Sequence, residues 1–220
     1  MKKVTILLAA TLMLACSGTD PWVLMANPDW AWTSGLTVAA VQAGQPDLGL
    51  QLYRDERTRK VVESFYIKLT GKSEISLPIL RQAETNDIPL PLAFALAWGE
   101  SKFNARAYNH NPGSVDRGLF QLNSGSFPFL KARQFYDPEI NAHYGLKHLR
   151  LCLDRADSEL VALAIYNAGA LKVRSGTPYS TLTHIARILE YRDELAAAFQ
   201  RLLQGSPLLE HLSTRIASAR

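Results

Sequence analysis

The stretch PLPLAFALAWGESKFN, residues 89–104, places one carboxylate, Glu100, at the end of a run that is apolar on nearly every side. A helix made of such residues must be buried all round, because it has no polar face to turn towards water. Pro89 and Pro91 suit the first turn of that helix, where the backbone needs no hydrogen-bond donor. The pattern therefore predicts a buried helix from Pro89 to Glu100 with an acid at its carboxyl end.

The surroundings of Glu100 favour the protonated form of its side chain. Trp98 and Phe103 are expected to exclude water from it, and the negative end of the helix dipole lies beside it. A carboxyl group that keeps its proton near neutral pH can donate that proton to a glycosidic oxygen. Taken alone, a Glu after an apolar helix is more often a solvated helix end, so the interpretation depends on the neighbouring motifs.

Three further motifs follow in order: GLFQLN at 118–123, DPEIN at 137–141 and AIYNAG at 164–169. Together with ESKFN they resemble the signature motifs and connecting segment of the lytic transglycosylases with a lysozyme-like SLT domain. The resemblance covers residues 75–195, more than half of the chain. It implies a mainly α, lysozyme-like helical domain over residues 51–205, with at most a small β-hairpin near the active site. It also implies an enzyme that acts on peptidoglycan glycan strands.

In enzymes of this kind a single Glu is enough. The resemblance implies that Glu100 protonates the β-1,4 bond between N-acetylmuramic acid and N-acetylglucosamine while the substrate's own N-acetyl group assists. The same Glu then takes a proton from the muramic acid 6-hydroxyl, and a 1,6-anhydro ring closes. The candidate substrate-binding residues are Ser101, Asn109, Asp116, Gly118, Phe120, Gln121, Asn123, Tyr166 and Asn167. The last two would add an aromatic surface and a further amide from another helix.

The GLFQLN motif is expected to form one wall of the site. Gln121 and Asn123 offer amide donors and acceptors to the acetamido and hydroxyl groups of a glycan. Gly118 is expected to let the backbone come close to the sugar. Phe120 stands where the family usually has Met and is expected to be an apolar wall for a sugar face.

Two further positions depart from the family pattern. Many relatives have a Ser about nine residues after the acid, and simple counting places Asn109 there. Relatives also have a Tyr at the start of the last helix, which aligns with His184. Tyr179 and Tyr191 are the other candidates for contact with the acid, and the sequence leaves the choice between the three open.

Residues 113–124, GSVDRGLFQLNS, also resemble animal-type lysozyme. There Asp116 matches a second carboxylate that stabilises or captures an oxocarbenium ion, so a hydrolase using Glu100 and Asp116 is an alternative. If Asp116 has only a structural role, it is expected to be an Asx turn residue. The AIYNAG motif and the lack of many disulfide cysteines favour the transglycosylase. A non-catalytic glycan-binding factor of an envelope assembly, and a wall-opening subunit of a secretion or pilus machine with partners unknown, stay open as well.

The amino-terminal segment carries an export signal. Residues 1–16 have a basic start, an apolar run too short to span a membrane, and the sequence MLACSG, which resembles a bacterial lipobox with lipid on Cys16. These features predict a lipoprotein of the periplasm, anchored to the outer membrane. Residues 17–50 are expected to be a tether or irregular segment, and 206–220 a carboxyl-terminal tail.

Charge and ligand chemistry give no support to a nucleic-acid-binding or metal-dependent protein. The chain has 24 basic and 20 acidic residues, a net charge of +4, and loss of Lys2 and Lys3 with the signal would leave +2. This mild excess does not argue for nucleic acid as a partner. The histidines are scattered, so we expect neither a metal site nor a cofactor. Cys152 is expected to be a small core residue without a disulfide partner.

The helical periodicity completes the mainly α prediction. Helices are expected over residues 52–70, 76–86, 89–100, 138–153, 158–166 and 182–203.

Overall fold

The computed structural model describes residues 47–204, which form eight α-helices and a small antiparallel sheet. The helices are α1 Leu48–Arg54, α2 Glu56–Thr70, α3 Ser73–Thr85, α4 Leu90–Ser101, α5 Pro138–Leu153, α6 Glu159–Ala168, α7 Ala170–Ser175 and α8 Tyr179–Gln204. The strands are β1 Tyr108–Asn111, β2 Ser114–Arg117 and β3 Leu122–Asn123, and a 3₁₀ helix spans Ala132–Tyr136. The mainly α prediction is confirmed. The predicted signal peptide, lipid anchor and carboxyl-terminal tail lie outside the described residues.

One carboxylate ties the first helix to the central one. Asp47 Oδ1 accepts hydrogen bonds from the Leu50 amide at 2.8 Å and from the Leu90 amide at 3.2 Å. It therefore caps α1 and also satisfies a backbone donor in the first turn of α4. Leu50 is buried. The packed region thus begins at α1, before the boundary at residue 51 that the sequence predicts.

The long helix predicted over residues 52–70 is two helices. Asp55 has an extended backbone, and its side chain accepts a hydrogen bond from the Arg57 amide at 2.9 Å, which caps α2. An Asp at this position favours a helix start over helix continuation, because its short side chain binds the backbone ahead of it.

The core is centred on α4, where every residue from Leu90 to Ala97 is buried. Tyr66 of α2 stacks on Phe94 with ring centroids 4.0 Å apart. At the carboxyl end of α4, a Cβ on Gly99 would overlap Ile188 of α8. The glycine therefore lets α8 come close to the last turn of α4, which carries Glu100.

The sheet follows α4 and has the order β1-β2-β3. Its register pairs Asn109 with Asp116 and Asp116 with Asn123, so these three side chains form a row across the strands. The sheet contains one short strand more than the predicted hairpin.

The helices after the sheet agree in part with the predicted ones. The predicted bounds of α5 are correct, but α8 begins at Tyr179 rather than near residue 182, and α7 was not predicted. In the part of the chain that the structure describes, no helix has both the length and the apolar character needed to cross a membrane.

Candidate active site

Glu100 lies in the last turn of α4, and the chain leaves the helix sharply after it. Lys102 and Phe103 have φ values of 54° and 60°, in the left-handed region that few non-glycine residues adopt. The Lys102 ammonium lies 2.8 Å from the ring centroid of Trp98, which also stacks on Tyr191 at 4.2 Å. This packing encloses the helix end, and the Glu100 side chain is only 10% exposed.

The acid has one direct side-chain partner among the described residues. His184 Nε2 of α8 lies 3.1 Å from Glu100 Oε1, and the imidazole is 27% exposed. Tyr179 is 84% exposed, and Tyr191 stacks on Trp98 instead. Of the three candidates that the sequence leaves open, His184 makes the contact.

The second carboxylate, Asp116, is held by amide side chains of the sheet. Asn111 Nδ2 donates to Asp116 Oδ2 at 2.6 Å, and Asn123 Nδ2 donates to Asp116 Oδ1 at 2.7 Å. Asn109 Nδ2 adds a longer bond to Oδ2 at 3.3 Å. Both oxygens of Asp116 therefore have donors inside the protein, and the side chain belongs to the row across the strands.

A cleft of about 800 Å³ joins α4, the sheet and the ends of α5 and α6. It is lined by six of the predicted site residues, namely Glu100, Asp116, Gln121, Asn123, Tyr166 and Asn167. Sequence reasoning missed Asn111, His148, Arg155 and Lys172, which line the same cleft. They come from segments without a recognisable motif, so no sequence signal would have found them.

Two of the predicted site residues, Gly118 and Phe120, lie beneath the cleft rather than in its wall. Gly118 has a φ of 79°, and a Cβ there would overlap the Phe135 carbonyl oxygen and the Asn141 amide. Gly118 is buried, and the side of its Cα where a Cβ would stand packs closely against the core, so the glycine is needed for packing; its predicted approach to a sugar stays a prediction. Phe120 is 0% exposed and packs against Gly145, so the predicted apolar wall is wrong.

Two more predicted residues do not line the cleft. The Ser101 hydroxyl donates to the Ala97 carbonyl of its own helix at 3.1 Å. Asn109 is exposed and contacts Asp116 and Asn111 through its amide nitrogen. Ser101 is thus tied to its own helix, whereas Asn109 helps to hold Asp116 from an exposed position.

Asn141 of α5 is buried, and its side chain makes three hydrogen bonds; it was not among the predicted site residues. Its Nδ2 donates to the Phe135 carbonyl at 2.7 Å and to the Arg117 carbonyl at 3.0 Å, and its Oδ1 accepts from the Phe120 amide at 2.8 Å. These bonds hold the turn that presents Gln121, whose φ is 46° and whose Nε2 donates to the Gly118 carbonyl at 2.9 Å. An Asn within the apolar face of a helix was the available signal.

The carboxyl end of α6 supplies the last two predicted residues. The Tyr166 hydroxyl donates to the Phe120 carbonyl at 2.9 Å, and burial, then the nearby Glu100 charge, raises the pKa of the phenol well above its ordinary value. Asn167 Oδ1 accepts from the Thr181 hydroxyl at 2.9 Å. Tyr166 thus ties α6 to the turn below the cleft, while Asn167 ties it to α8.

A helical domain with one enclosed Glu facing a small antiparallel sheet across a cleft defines a lysozyme-like domain. Residues 78–184 match the family model described as the transglycosylase SLT domain. These residues therefore carry an SLT domain, and the matched range includes all the predicted substrate-site residues and His184. An SLT domain implies glycan-cleaving activity with peptidoglycan as its substrate.

Proposed function

We propose that this protein is a peptidoglycan lytic transglycosylase that cleaves the β-1,4 bond between N-acetylmuramic acid and N-acetylglucosamine and leaves a 1,6-anhydro end. Glu100 is the general acid and then the general base. The observation that carries this proposal is the contrast between the two carboxylates of the cleft. Glu100 is enclosed and has one side-chain partner, whereas both oxygens of Asp116 accept amide hydrogen bonds.

In the first step, protonated Glu100 gives its proton to the glycosidic oxygen as the bond from that oxygen to C1 of the muramic acid breaks. The carbonyl oxygen of the substrate's N-acetyl group supports the positive charge that develops at C1. His184 holds Oε1 of Glu100, which leaves Oε2 as the oxygen available to the substrate.

In the second step, the Glu100 carboxylate takes the proton of the 6-hydroxyl as O6 bonds to C1. Glu100 then carries a proton again, as it did at the start, and no water is consumed. The low exposure of the Glu100 side chain favours this intramolecular attack, because little water reaches the carboxylate.

The competing hydrolase needs Asp116 to stabilise or attack C1. A carboxylate in that role presents an oxygen to the sugar. In this protein the amides of Asn111 and Asn123 donate to the two oxygens of Asp116 at 2.6 and 2.7 Å and fix the side chain in the sheet. We assign Asp116 to the support of the sheet that lines the cleft, and the Asp116→Asn variant tests this assignment, because each carboxylate oxygen keeps a further lone pair.

The test is mass spectrometry of the soluble products released from bacterial sacculi by the wild-type protein, Glu100→Gln and Asp116→Asn. We expect products one water lighter than reducing muropeptides from the wild type, none from Glu100→Gln, and the lighter products still from Asp116→Asn. Reducing products that disappear with either variant would assign the reaction to a hydrolase. No products from the wild type would leave a glycan-binding or partner-activated role.

Export and lipid attachment at Cys16 complete the proposal, which places the enzyme in the periplasm on the outer membrane. Its support is the basic and apolar start followed by MLACSG. Metabolic labelling with a fatty acid, compared between the wild type and Cys16→Ala, tests it. A wild-type protein without label would contradict the anchor.

A further inference from the structure

The cleft holds two positive side chains that the proposed chemistry does not use. Arg155 follows the carboxyl end of α5, and Lys172 lies in α7. Both line the same cleft as Glu100, and both are exposed. Within residues 47–204, neither forms an ion pair.

The charge of Arg155 acts inside the cleft. Burial lowers the pKa of His148, and the Arg155 guanidinium lowers it further. Burial raises the pKa of the Cys152 thiol to about 11, and Arg155 opposes that rise. His148 and Cys152 also line the cleft, so the guanidinium lies near its interior surface. At neutral pH both groups are uncharged, which leaves Arg155 and Lys172 as the positive charges of the cleft lining.

Two other basic residues lie near in sequence to Arg155 and Lys172 and serve as controls for them. Lys147 of α5 and Arg174 of α7 are also exposed, but neither lines the cleft. Arg174 is two residues from Lys172 in the same short helix. A ligand in the cleft would therefore meet Arg155 and Lys172 and not these two neighbours.

We propose that Arg155 and Lys172 form a subsite for the carboxylates of the stem peptides that muramic acid carries. This inference rests on the proposed function, since it takes a peptidoglycan strand as the ligand. Acetylated amino sugars are uncharged, so the glycan backbone gives a cation nothing to pair with. The peptide on the muramic acid lactyl group carries carboxylates, which a guanidinium binds through two hydrogen bonds and an ammonium binds as a point charge.

Carboxylates on muramic acid have two sources, and three probes separate them. Purified strands that keep their stem peptides carry peptide carboxylates. Strands treated with an amidase keep only the lactyl carboxylate, and a β-1,4 hexamer of N-acetylglucosamine has none. Binding is measured by calorimetry in a Glu100→Gln background, so that no probe is consumed.

The variant for the subsite is Arg155→Gln with Lys172→Gln, and its matched control is Lys147→Gln with Arg174→Gln. We expect the subsite variant to weaken binding of the peptide-bearing strands by about fivefold or more at low salt, with the loss shrinking as salt rises. The hexamer should bind both variants equally, and the control variant should bind every probe like its parent.

Equal affinities of the subsite and control variants for peptide-bearing strands would overturn the subsite. An equal loss for amidase-treated strands would overturn it too, because the lactyl carboxylate would then be the ligand. Anhydro products are measured separately with wild-type Glu100. Their absence alongside an intact peptide preference would contradict the transglycosylase and leave the subsite standing.

Discussion

His184 Nε2 lies 3.1 Å from Glu100 Oε1 and joins α8 to the carboxyl end of α4. The contact depends on helix packing, because Gly99 leaves the space that Ile188 of α8 occupies. A hydrogen bond to one carboxyl oxygen restricts rotation of the Glu100 side chain. The other oxygen is then held towards the cleft, as a positioned proton donor requires.

Replacement of His184 by Phe should therefore lower kcat with little change in KM. Phe fills a similar volume but has no ring nitrogen for a hydrogen bond, and loss of one hydrogen bond to an acidic group predicts a fall in kcat of about tenfold or more. His184→Gln keeps an amide near the position of Nε2 and should restore much of the rate. Initial rates of product release over a range of strand concentrations give both constants. Equal rates for the Phe and Gln variants would show that the hydrogen bond has no positioning role.

Asp116→Asn tests the role of the second carboxylate. The change replaces one acceptor oxygen with an NH₂ group that faces the amides of Asn111 or Asn123, so the sheet should lose about 1–2 kcal/mol of stability. Because we assign Asp116 no part in the reaction, activity should fall by less than about tenfold. Thermal unfolding and product release are measured on the same sample. A loss of activity as complete as that of Glu100→Gln, in a folded protein, would contradict this assignment.

The sequence was sufficient to predict the elements that local patterns specify. The apolar run before Glu100 predicts a buried helix, and α4 is buried as expected. Asp137 followed by Pro138 signals a helix start, and α5 begins at Pro138. Asp55, by contrast, separates two helices where the hydrophobic periodicity alone predicts one continuous helix.

The features that the sequence could not give depend on contacts between distant residues. Phe120 was predicted to form a sugar-facing wall, but Gly145 in α5 leaves space for its ring in the core. The choice of His184 over Tyr179 and Tyr191 depends on the rotation of α8 against α4, which periodicity does not determine. Whether a motif residue is buried or faces the cleft is therefore determined by tertiary packing, which local sequence patterns do not reveal.

Gly118→Ala should destabilise the protein more than Gly113→Ala. The two glycines have nearly the same φ, 79° and 80°, which L residues rarely adopt, so both substitutions carry a backbone cost of about 1–2 kcal/mol. At Gly113 nothing lies within 4 Å of the added Cβ, whereas at Gly118 it would overlap the Phe135 carbonyl and Asn141. That overlap should add about 1–3 kcal/mol. Denaturant unfolding of both variants measures the difference, and equal losses would refute the steric argument.

His148 should make the stability of the domain depend on pH. Its ring lies 4.9 Å from that of Tyr166, and burial, with the charge of Arg155, holds its pKa below the ordinary value of 6.5. As pH falls below about 6.5, the unfolded chain takes up a proton that the folded protein still excludes, so the free energy of unfolding decreases. Above that pH, both states hold a neutral imidazole and the effect vanishes.

The His148→Phe variant isolates this effect, because Phe suits the aromatic neighbours and does not titrate. Unfolding by denaturant is measured between pH 5 and pH 7.5 for the wild type, for His148→Phe and for a control, His110→Asn, at an exposed position. The wild type and the control should lose stability towards low pH relative to His148→Phe, by at most ~1.4 kcal/mol per pH unit for one proton. Acidic groups with raised pKa values, such as Glu194, titrate alike in all three proteins, so their contribution to the pH dependence cancels when the slopes are compared. Parallel curves for the wild type and His148→Phe would mean that the folded cleft accepts the proton as readily as the unfolded chain.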